Sequence, residues 1–315
     1  MDQFSVFISV FLSFLMSILA ALGVNPVKTV RPPEPGVPQV DLTEEYLFSS
    51  TEEYKAYYEY ISVEEEQKIR SESTNPEHLD WLVPFVNARA NVEKELEQNG
   101  FYYTLYKNKT AAVKYATAAS ADINIPAEVN GYKVVTIYRS FIGAGKVDPG
   151  KVQSIVIPDT VEFIGEGAFE QCSSLKTVQI GRRVRFMAPS VFASCRKLTV
   201  AILPDSLDEV SVCTFDSCYA LTVVELGGNV RKIDDSAFIH CMFLKNVTLP
   251  ESVGSIEAEA FLGCKNLTGI YIPSSVTSID DSAFEQCGKL TIHGEAGSYA
   301  ESFAKQNGIP FAVGK

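Results

Sequence analysis

The stretch "GAFEQCSSLKTVQIG" (Gly167–Gly181) returns in shortened form as "SAFEQCGKLTIHG" (Ser282–Gly294). Three residue types recur between the two copies at intervals of 23 residues, without a slip. These columns are Phe169, Phe192, Phe215, Phe238, Phe261 and Phe284; Cys172, Cys195, Cys218, Cys241, Cys264 and Cys287; and Leu175, Leu198, Leu221, Leu244, Leu267 and Leu290. A turn column alternates between two residue types: Pro158, Gly181, Pro204, Gly227, Pro250 and Pro273. Repetition at a fixed period of this kind is typical of a solenoid.

Each repeat contains the pattern Leu-x-x-Val-x-Ile, which at a period of roughly 20 to 29 residues indicates a leucine-rich repeat with one short strand per coil. In "LKTVQIG" the alternation predicts Val178 and Ile180 on the inward side, and Thr177 and Gln179 on the outward side. Stacked coils would form a parallel sheet with strands about 4.8 Å apart. The sequence therefore predicts a mostly β protein, α+β overall, built as a right-handed solenoid with a parallel sheet.

The ends of such an array need caps, because one coil is too small to bury its own apolar side. Upstream, Phe101–Thr117 alternates on both sides of the turn Lys107–Lys109, which predicts a β-hairpin. Downstream, Ser298 and Glu301 predict a capping box that opens a helix, and Gly308 is expected to end it. The predicted hairpin and helix would cover the first and last coils.

The N-terminal residues are interpreted as a targeting segment. Phe4–Leu22 is an uncharged apolar run, typical of a signal peptide or a membrane anchor, although only the acidic Asp2 precedes it where a basic residue is usual. We expect residues 1–23 to be a signal peptide or membrane anchor, and residues 24–40 to be a Pro-rich linker. The protein is accordingly expected to be secreted, or attached to the cell surface if the segment is not cleaved.

Residues 41–100 are expected to form an acidic helical region. Residues 41–98 contain 15 Asp/Glu and 5 Lys/Arg, whereas the rest of the chain is nearly neutral. A first helix is expected after the capping residue Ser50, and a second one between Pro76 and Gly100. These acidic helices would precede the hairpin cap.

Several segments resemble the BspA-like leucine-rich-repeat proteins of bacterial surfaces. They are the repeat unit "IPxSVxxIxxxAFxxCxxLxxVxIP", the opening "INIPAEVNGYKVVTI" and the ending "GSYAESFAKQNGIPF". The resemblance covers residues 101–313, which we expect to be the solenoid with its caps. It implies a secreted or surface-attached solenoid that binds other proteins, often as an adhesin for a host matrix protein, a surface protein or a neighbouring cell, and it brings no catalytic residue.

The composition argues against several other functions. A net charge of -12 does not suit a nucleic-acid partner, which requires a basic footprint. The three histidines, His78, His240 and His293, do not stand beside a nucleophile with an orienting acid. The segment "GKVDPGKV" (residues 145–152) lacks the Ser or Thr of a phosphate-binding loop. We therefore expect no catalytic residue, no cofactor and no metal.

Six of the seven cysteines share one column, where parallel Cβ atoms would lie about 4.8 Å apart, wider than the roughly 3.5 to 4.5 Å of a disulfide. We expect buried free thiols. Cys213 lies outside the column and is expected to be exposed, as either a reactive thiol or a neutral substitution. The pairs Asp234–Asp235 and Asp280–Asp281 are expected to cap turns, with calcium binding as the weaker alternative.

The outward strand positions form two columns. One contains Thr177, Val200, Val223, Asn246 and Gly269, and the other contains Gln179, Ile202, Glu225, Thr248 and Tyr271. Apolar side chains exposed on such a sheet indicate a docking surface, although β-branched residues also simply suit a strand. We expect a protein partner to contact six residues, with Tyr271 as an anchor: Val200, Ile202, Val223, Glu225, Thr248 and Tyr271.

Two other functions stay open at this point. An effector or enzyme activity could lie in the helical region 41–98, with the solenoid as a targeting scaffold. A structural surface-layer element would instead be expected to self-associate through its repeats. No feature of the sequence specifies an oligomeric state.

Overall fold

The fold is taken from a computed structural model that describes residues 92–145 and 147–314. Residues Glu95–Thr104 and Thr110–Lys315 form one compact unit. The predicted targeting segment, the linker and the acidic helices up to residue 91 lie outside the described residues.

Two strands of each complete coil build two faces of a solenoid. The first sheet face consists of β4 (Asp122–Asn124), β7 (Ser154–Val156), β9 (Thr177–Gln179), β11 (Val200–Ile202), β13 (Val223–Glu225), β15 (Asn246–Thr248), β17 (Gly269–Tyr271), β19 (Thr291–Gly294) and β20 (Phe311–Val313). The second sheet face consists of β6 (Tyr132–Ile137), β8 (Phe163–Ile164), β10 (Phe186–Met187), β12 (Glu209–Val210), β14 (Lys232–Ile233), β16 (Ser255–Ile256) and β18 (Ser278–Ile279). The remaining strands are β1 (Val92–Gln98), β2 (Phe101–Tyr106), β3 (Thr110–Ala116) and β5 (Glu128–Val129).

Neighbouring coils pair in parallel with the register that the period predicts. Val200 lies opposite Val223 on the first sheet face, and Lys232 lies opposite Ser255 on the second. Both pairs join residues that are one repeat apart. The predicted parallel-sheet solenoid is therefore confirmed.

A column of stacked phenylalanine rings forms the centre of the core. Consecutive rings from Phe169 to Phe284 lie 5.5, 5.6, 5.4, 5.2 and 5.4 Å apart between centroids, with nearly parallel planes. Phe303 closes the column at its C-terminal end, edge-on to Phe284 at 6.0 Å. At the other end Phe141 meets Phe169, and Phe101 stacks on Phe141 at 6.1 Å. Burial of these rings removes a large apolar area from water and ties each coil to the next.

The cysteine column runs beside the rings, and its six thiols are free and buried. From Cys195 onward, each thiol donates a hydrogen bond to a phenylalanine carbonyl oxygen of the preceding coil. The Sγ–O distances are 3.3 Å (Cys195 to Phe169), 3.2 Å (Cys218 to Phe192), 3.3 Å (Cys241 to Phe215), 3.2 Å (Cys264 to Phe238) and 3.1 Å (Cys287 to Phe261). Each of these cysteines therefore fills the core with a small side chain and donates a hydrogen bond to a buried carbonyl group.

The turn column requires glycine where two coils approach closely. A Cβ atom on Gly181 would lie 2.2 Å from the carbonyl oxygen of Pro158, and one on Gly227 would lie 2.1 Å from that of Pro204. Real Cβ contacts are never this short, so the backbone could not keep its position with any side chain there. This contact explains why glycine interrupts the prolines in that column.

The second predicted helix does not extend to Gly100, because Val92–Gln98 is strand β1. Asn99 and Gly100 follow it with φ of 51° and 82°, and β2 begins at once. Positive φ at both central residues is the condition for the tight hairpin turn that an Asn-Gly pair favours. The Asn99–Gly100 pair therefore forms a turn where the sequence pattern predicted a helix. Strands β1 and β2 are neighbours in the sheet. The next connection, residues 107–109, joins β2 to β3 at the predicted turn.

Helix α1 (Tyr299–Gln306) follows the last coil. Ser298 accepts a hydrogen bond from the backbone N–H of Glu301 at 3.3 Å. The Glu301 carboxylate in return accepts from the N–H of Gly297 at 2.6 Å, one residue earlier than in the predicted capping box. The buried face of the helix carries Phe303, which extends the aromatic column.

Candidate functional site

The outward positions of the first sheet face carry three exposed apolar side chains. Val200 is 40% exposed, Ile202 57% and Val223 42%, whereas Ala201 and Val224 between them are buried. Alternation along a strand places successive side chains on opposite faces, which produces this difference. The predicted contiguous apolar surface therefore exists, and we refer to Val200, Ile202 and Val223 as the apolar patch.

The apolar patch lies on a separate hydrogen-bonded segment of the sheet. Among the described strands, the first sheet face is divided into β4-β7-β9, β11-β13 and β15-β17-β19-β20. In the middle segment Val200 lies opposite Val223, and Ile202 lies opposite Glu225. Thr248 is exposed one coil further along. The patch thus has polar neighbours on the side of the later coils.

Tyr271 does not have the predicted role of an exposed anchor. Its side chain is only 7% exposed, and it lies in register between Thr248 and His293. Tyr271 therefore offers little surface to a partner.

A further exposed aromatic residue was missed because it lies on a turn and not on a strand. Phe243 is 54% exposed, two residues after Cys241. Nearby, the guanidinium of Arg196 lies over the ring of Tyr219, 5.7 Å from its centroid. The signal was present in the sequence, since the equivalent residues of other coils are small or polar: Ser174, Lys197, Ala220, Asn266 and Lys289.

Cys213 is half-buried and not fully exposed as expected. Burial raises the pKa of its thiol to about 12, and the charges of Asp216 and Asp235 act in the same direction. A thiolate is the nucleophilic form of cysteine, and it is scarce at neutral pH with such a pKa. The hypothesis of a reactive thiol therefore receives no support from this geometry.

The acidic pairs lie in turns and stabilise them. Asp280 accepts a hydrogen bond from the N–H of Ser282 at 2.8 Å, which fits the predicted capping role. Asp234 is completely buried, and its carboxylate pairs with the Nζ of Lys232 at 3.0 Å. No cluster of His, Cys, Asp or Glu with the geometry of a metal site occurs within residues 92–145 and 147–314.

Within residues 92–145 and 147–314, no helix combines the length and the apolar composition that are needed to span a bilayer. The proposed anchor, residues 4–22, lies outside the described residues.

The sequence and structure are similar to known repeat proteins. A family described as BspA type leucine rich repeat region matches residues 147–268 and 232–293, in six copies. No curated protein matches the chain.

Solved structures of other leucine-rich-repeat proteins are similar to this one, among them the following three. A leucine-rich-repeat protein of T. pallidum is 19% identical, with 70% of this chain and 98% of that chain covered and a TM-score of 0.47. A leucine-rich cell surface protein of Faecalibacterium prausnitzii A2-165 is 19% identical, with 72% and 100% covered and a TM-score of 0.36. A leucine-rich-repeat protein of Bacteroides capillosus is 26% identical, with 43% and 100% covered and a TM-score of 0.36.

The stacked coils, the parallel sheet faces and the phenylalanine column define a leucine-rich-repeat solenoid. Residues 147–293 of the chain are leucine-rich repeats of the BspA type.

Proposed function

We propose that this protein is an exported binding module that docks a protein partner on its first sheet face, without catalysis. The observation that carries the proposal is the apolar patch, in which three exposed side chains lie side by side on β11 and β13. Exposed apolar groups that are contiguous on a soluble protein commonly mark an interaction surface. Strands stacked in a solenoid present such a surface along its length.

The surroundings of the apolar patch suit an interface. Glu225 and Thr248 are exposed beside it and would form a polar rim around the apolar centre. Ile202, the most exposed of the three, is the best candidate for a residue that fills a pocket of the partner. Tyr271 is not included, because its ring is buried.

The proposal is tested by identifying the partner and then weakening the patch. A photo-crosslinking amino acid at position 223 of the full chain would capture the protein that touches this surface. The affinity of the captured protein for the double variant Val200→Ser/Ile202→Ser is then measured. We expect a loss of about tenfold or more, since two apolar contacts in the centre of an interface would be removed.

A matched control replaces two exposed apolar residues outside the patch, Tyr299→Ser and Val313→Ser, which are 44% and 70% exposed. This control is expected to bind as the wild type does. Unchanged affinity of the Val200→Ser/Ile202→Ser variant, with its fold intact by circular dichroism, would rule the patch out. Equal losses in both variants would do the same.

Export is part of the same proposal and rests on residues 1–23, which contain the apolar run. Mass spectrometry of the protein made by its own cells would show the mature N-terminus. A mature chain that begins near residue 24 would support a cleaved signal peptide, and an intact chain in the membrane fraction would support an anchor. An intact chain in the cytosol would contradict export.

A further inference from the structure

Two tyrosine rings stack on each other in the hairpin of β2 and β3. The ring centroids of Tyr102 and Tyr115 lie 4.9 Å apart, and the ring planes differ by only 2°. Strands β2 and β3 are neighbours in the sheet, and the N–H of Thr117 donates to the carbonyl oxygen of Gly100 at 2.7 Å. This hydrogen bond lies two residues beyond each tyrosine and closes the open end of the hairpin. The backbone therefore keeps the two rings opposite each other.

The stacked pair is accessible from solution. Tyr102 and Tyr115 are both half-buried, whereas the neighbouring Tyr103 is completely buried in the core. An oxidant that collides with the surface of the hairpin can thus remove an electron from either ring of the pair.

A carboxylate is in position to accept the phenolic proton of Tyr102. The hydroxyl of Tyr102 donates to Oε2 of Glu95 on the adjacent strand β1 at 2.6 Å. The other oxygen of this carboxylate, Oε1, lies 3.8 Å from Nζ of Lys114. The hydrogen bond to Glu95 raises the pKa of the Tyr102 phenol to about 12, so the phenol is neutral at physiological pH. A phenol becomes far more acidic when it loses an electron, and a base within hydrogen-bond reach then takes the proton.

We propose that Tyr102 and Tyr115 are a site of oxidative crosslinking, at which a haem peroxidase and hydrogen peroxide convert them to dityrosine. Each phenol gives up one electron and one proton, and the two phenoxyl radicals join through a carbon–carbon bond between ring positions ortho to the oxygens. The ring hydrogens at these carbons then move to the oxygens, which restores both phenols. The two electrons and two protons reduce one hydrogen peroxide to two waters, and the crosslinked protein is two hydrogens lighter.

The crosslink would join β2 to β3 covalently in the hairpin that covers the first coil. Phe101 of the same hairpin stacks on Phe141 at 6.1 Å, so the bridge would reinforce the end of the aromatic column. Because the tyrosine pair is separate from the apolar patch, this proposal does not depend on the proposed protein partner.

The test treats the full chain, at low protein concentration, with a haem peroxidase and hydrogen peroxide, and maps the products by peptide mass spectrometry. We expect the main product to link Tyr102 to Tyr115 within one chain. Tyr115→Phe keeps a ring in the stack but lacks the second phenol, so it should not form this product. Glu95→Gln removes the proton acceptor and should form the product about tenfold more slowly.

Tyr299→Phe is the matched control, since Tyr299 is an exposed tyrosine outside the hairpin, and it should crosslink as the wild type does. Absence of the Tyr102–Tyr115 product, or links mainly between separate chains, would overturn the proposal. An equal yield in denaturant would also overturn it, because closeness in sequence and not the stacked geometry would then explain the link. Equal rates for Glu95→Gln and the wild type would remove Glu95 from the proposed reaction.

Discussion

The thiol of Cys218 donates a hydrogen bond to the carbonyl oxygen of Phe192 in the preceding coil, at an Sγ–O distance of 3.2 Å. The same oxygen accepts the backbone N–H of Cys195 from its own coil at 3.1 Å. Both hydrogen bonds are buried, and the thiol-to-carbonyl hydrogen bond recurs from one coil to the next. The thiol therefore links coils in a place where a carbonyl group has no access to water.

We predict that Cys218→Ala lowers the free energy of unfolding by about 1 to 2 kcal/mol, because it leaves a small cavity and removes one hydrogen bond to a buried carbonyl. Chemical denaturation followed by circular dichroism measures the change. Cys213→Ala is the control, since Cys213 is half-buried and lies outside the column. Equal effects of the two substitutions would mean that the thiol ladder does not stabilise the stack.

We predict a larger effect in the phenylalanine column. Phe215 is completely buried between the rings of Phe192 and Phe238, so Phe215→Ala should cost about 3 to 5 kcal/mol. Phe243→Ala removes a ring that is 54% exposed, and it should change stability by less than about 0.5 kcal/mol. Thermal or chemical unfolding of both variants checks the difference, and similar losses would contradict the assignment of the core.

The stacking of coils could be predicted from the sequence because a constant period places equivalent residues at the same angle around the axis. Phe215 and Cys218 therefore recur over their counterparts in each coil, and their burial follows from the repeat alone. Outward directions could be predicted in the same way, which is why Val200 and Ile202 are exposed as expected.

What lies over an outward side chain could not be predicted in this way. Alternation indicates the direction of Tyr271, but not how much of the ring is accessible, so the burial of the ring was missed. The strand β1 was missed for a different reason. The sequence between Pro76 and Gly100 predicts a helix, but the backbone preference of the Asn99–Gly100 pair determines a hairpin turn.

We predict that Gly181→Ala destabilises the protein by about 1 to 3 kcal/mol, because the added Cβ would collide with the carbonyl oxygen of Pro158 and would push two coils apart. Gly288→Ala is the matched control on another turn, where an added Cβ meets no atom within 4 Å. It should be neutral or slightly stabilising, since alanine restricts the unfolded chain. A destabilisation of similar size in both variants would point to backbone flexibility, and not to close packing, as the reason for glycine.

We predict that Asp235 makes stability depend on pH. Burial, reinforced by the charge of Asp234, raises the pKa of the Asp235 carboxyl group to about 6. A carboxyl group whose pKa is higher in the folded than in the unfolded state favours folding when protonated, so the free energy of unfolding should fall as the pH rises from about 4 to about 6. In Asp235→Asn this decline should be smaller, and the variant should be more stable than the wild type at neutral pH by about 1 kcal/mol, after allowance for solvent screening.

The substitution Asp235→Asn keeps a side-chain oxygen that can accept the hydrogen bond from the N–H of Ala258. This bond is 3.1 Å long in the wild type, and the turn should therefore be preserved. Asp281→Asn, at the exposed equivalent position two coils later, is the control and should retain the pH dependence of the wild type. Denaturation curves recorded across this pH range measure how the free energy of unfolding depends on pH in the wild type and in both variants. If Asp235→Asn is as sensitive to pH as the wild type, or less stable at neutral pH, the raised pKa of Asp235 is not what limits stability there.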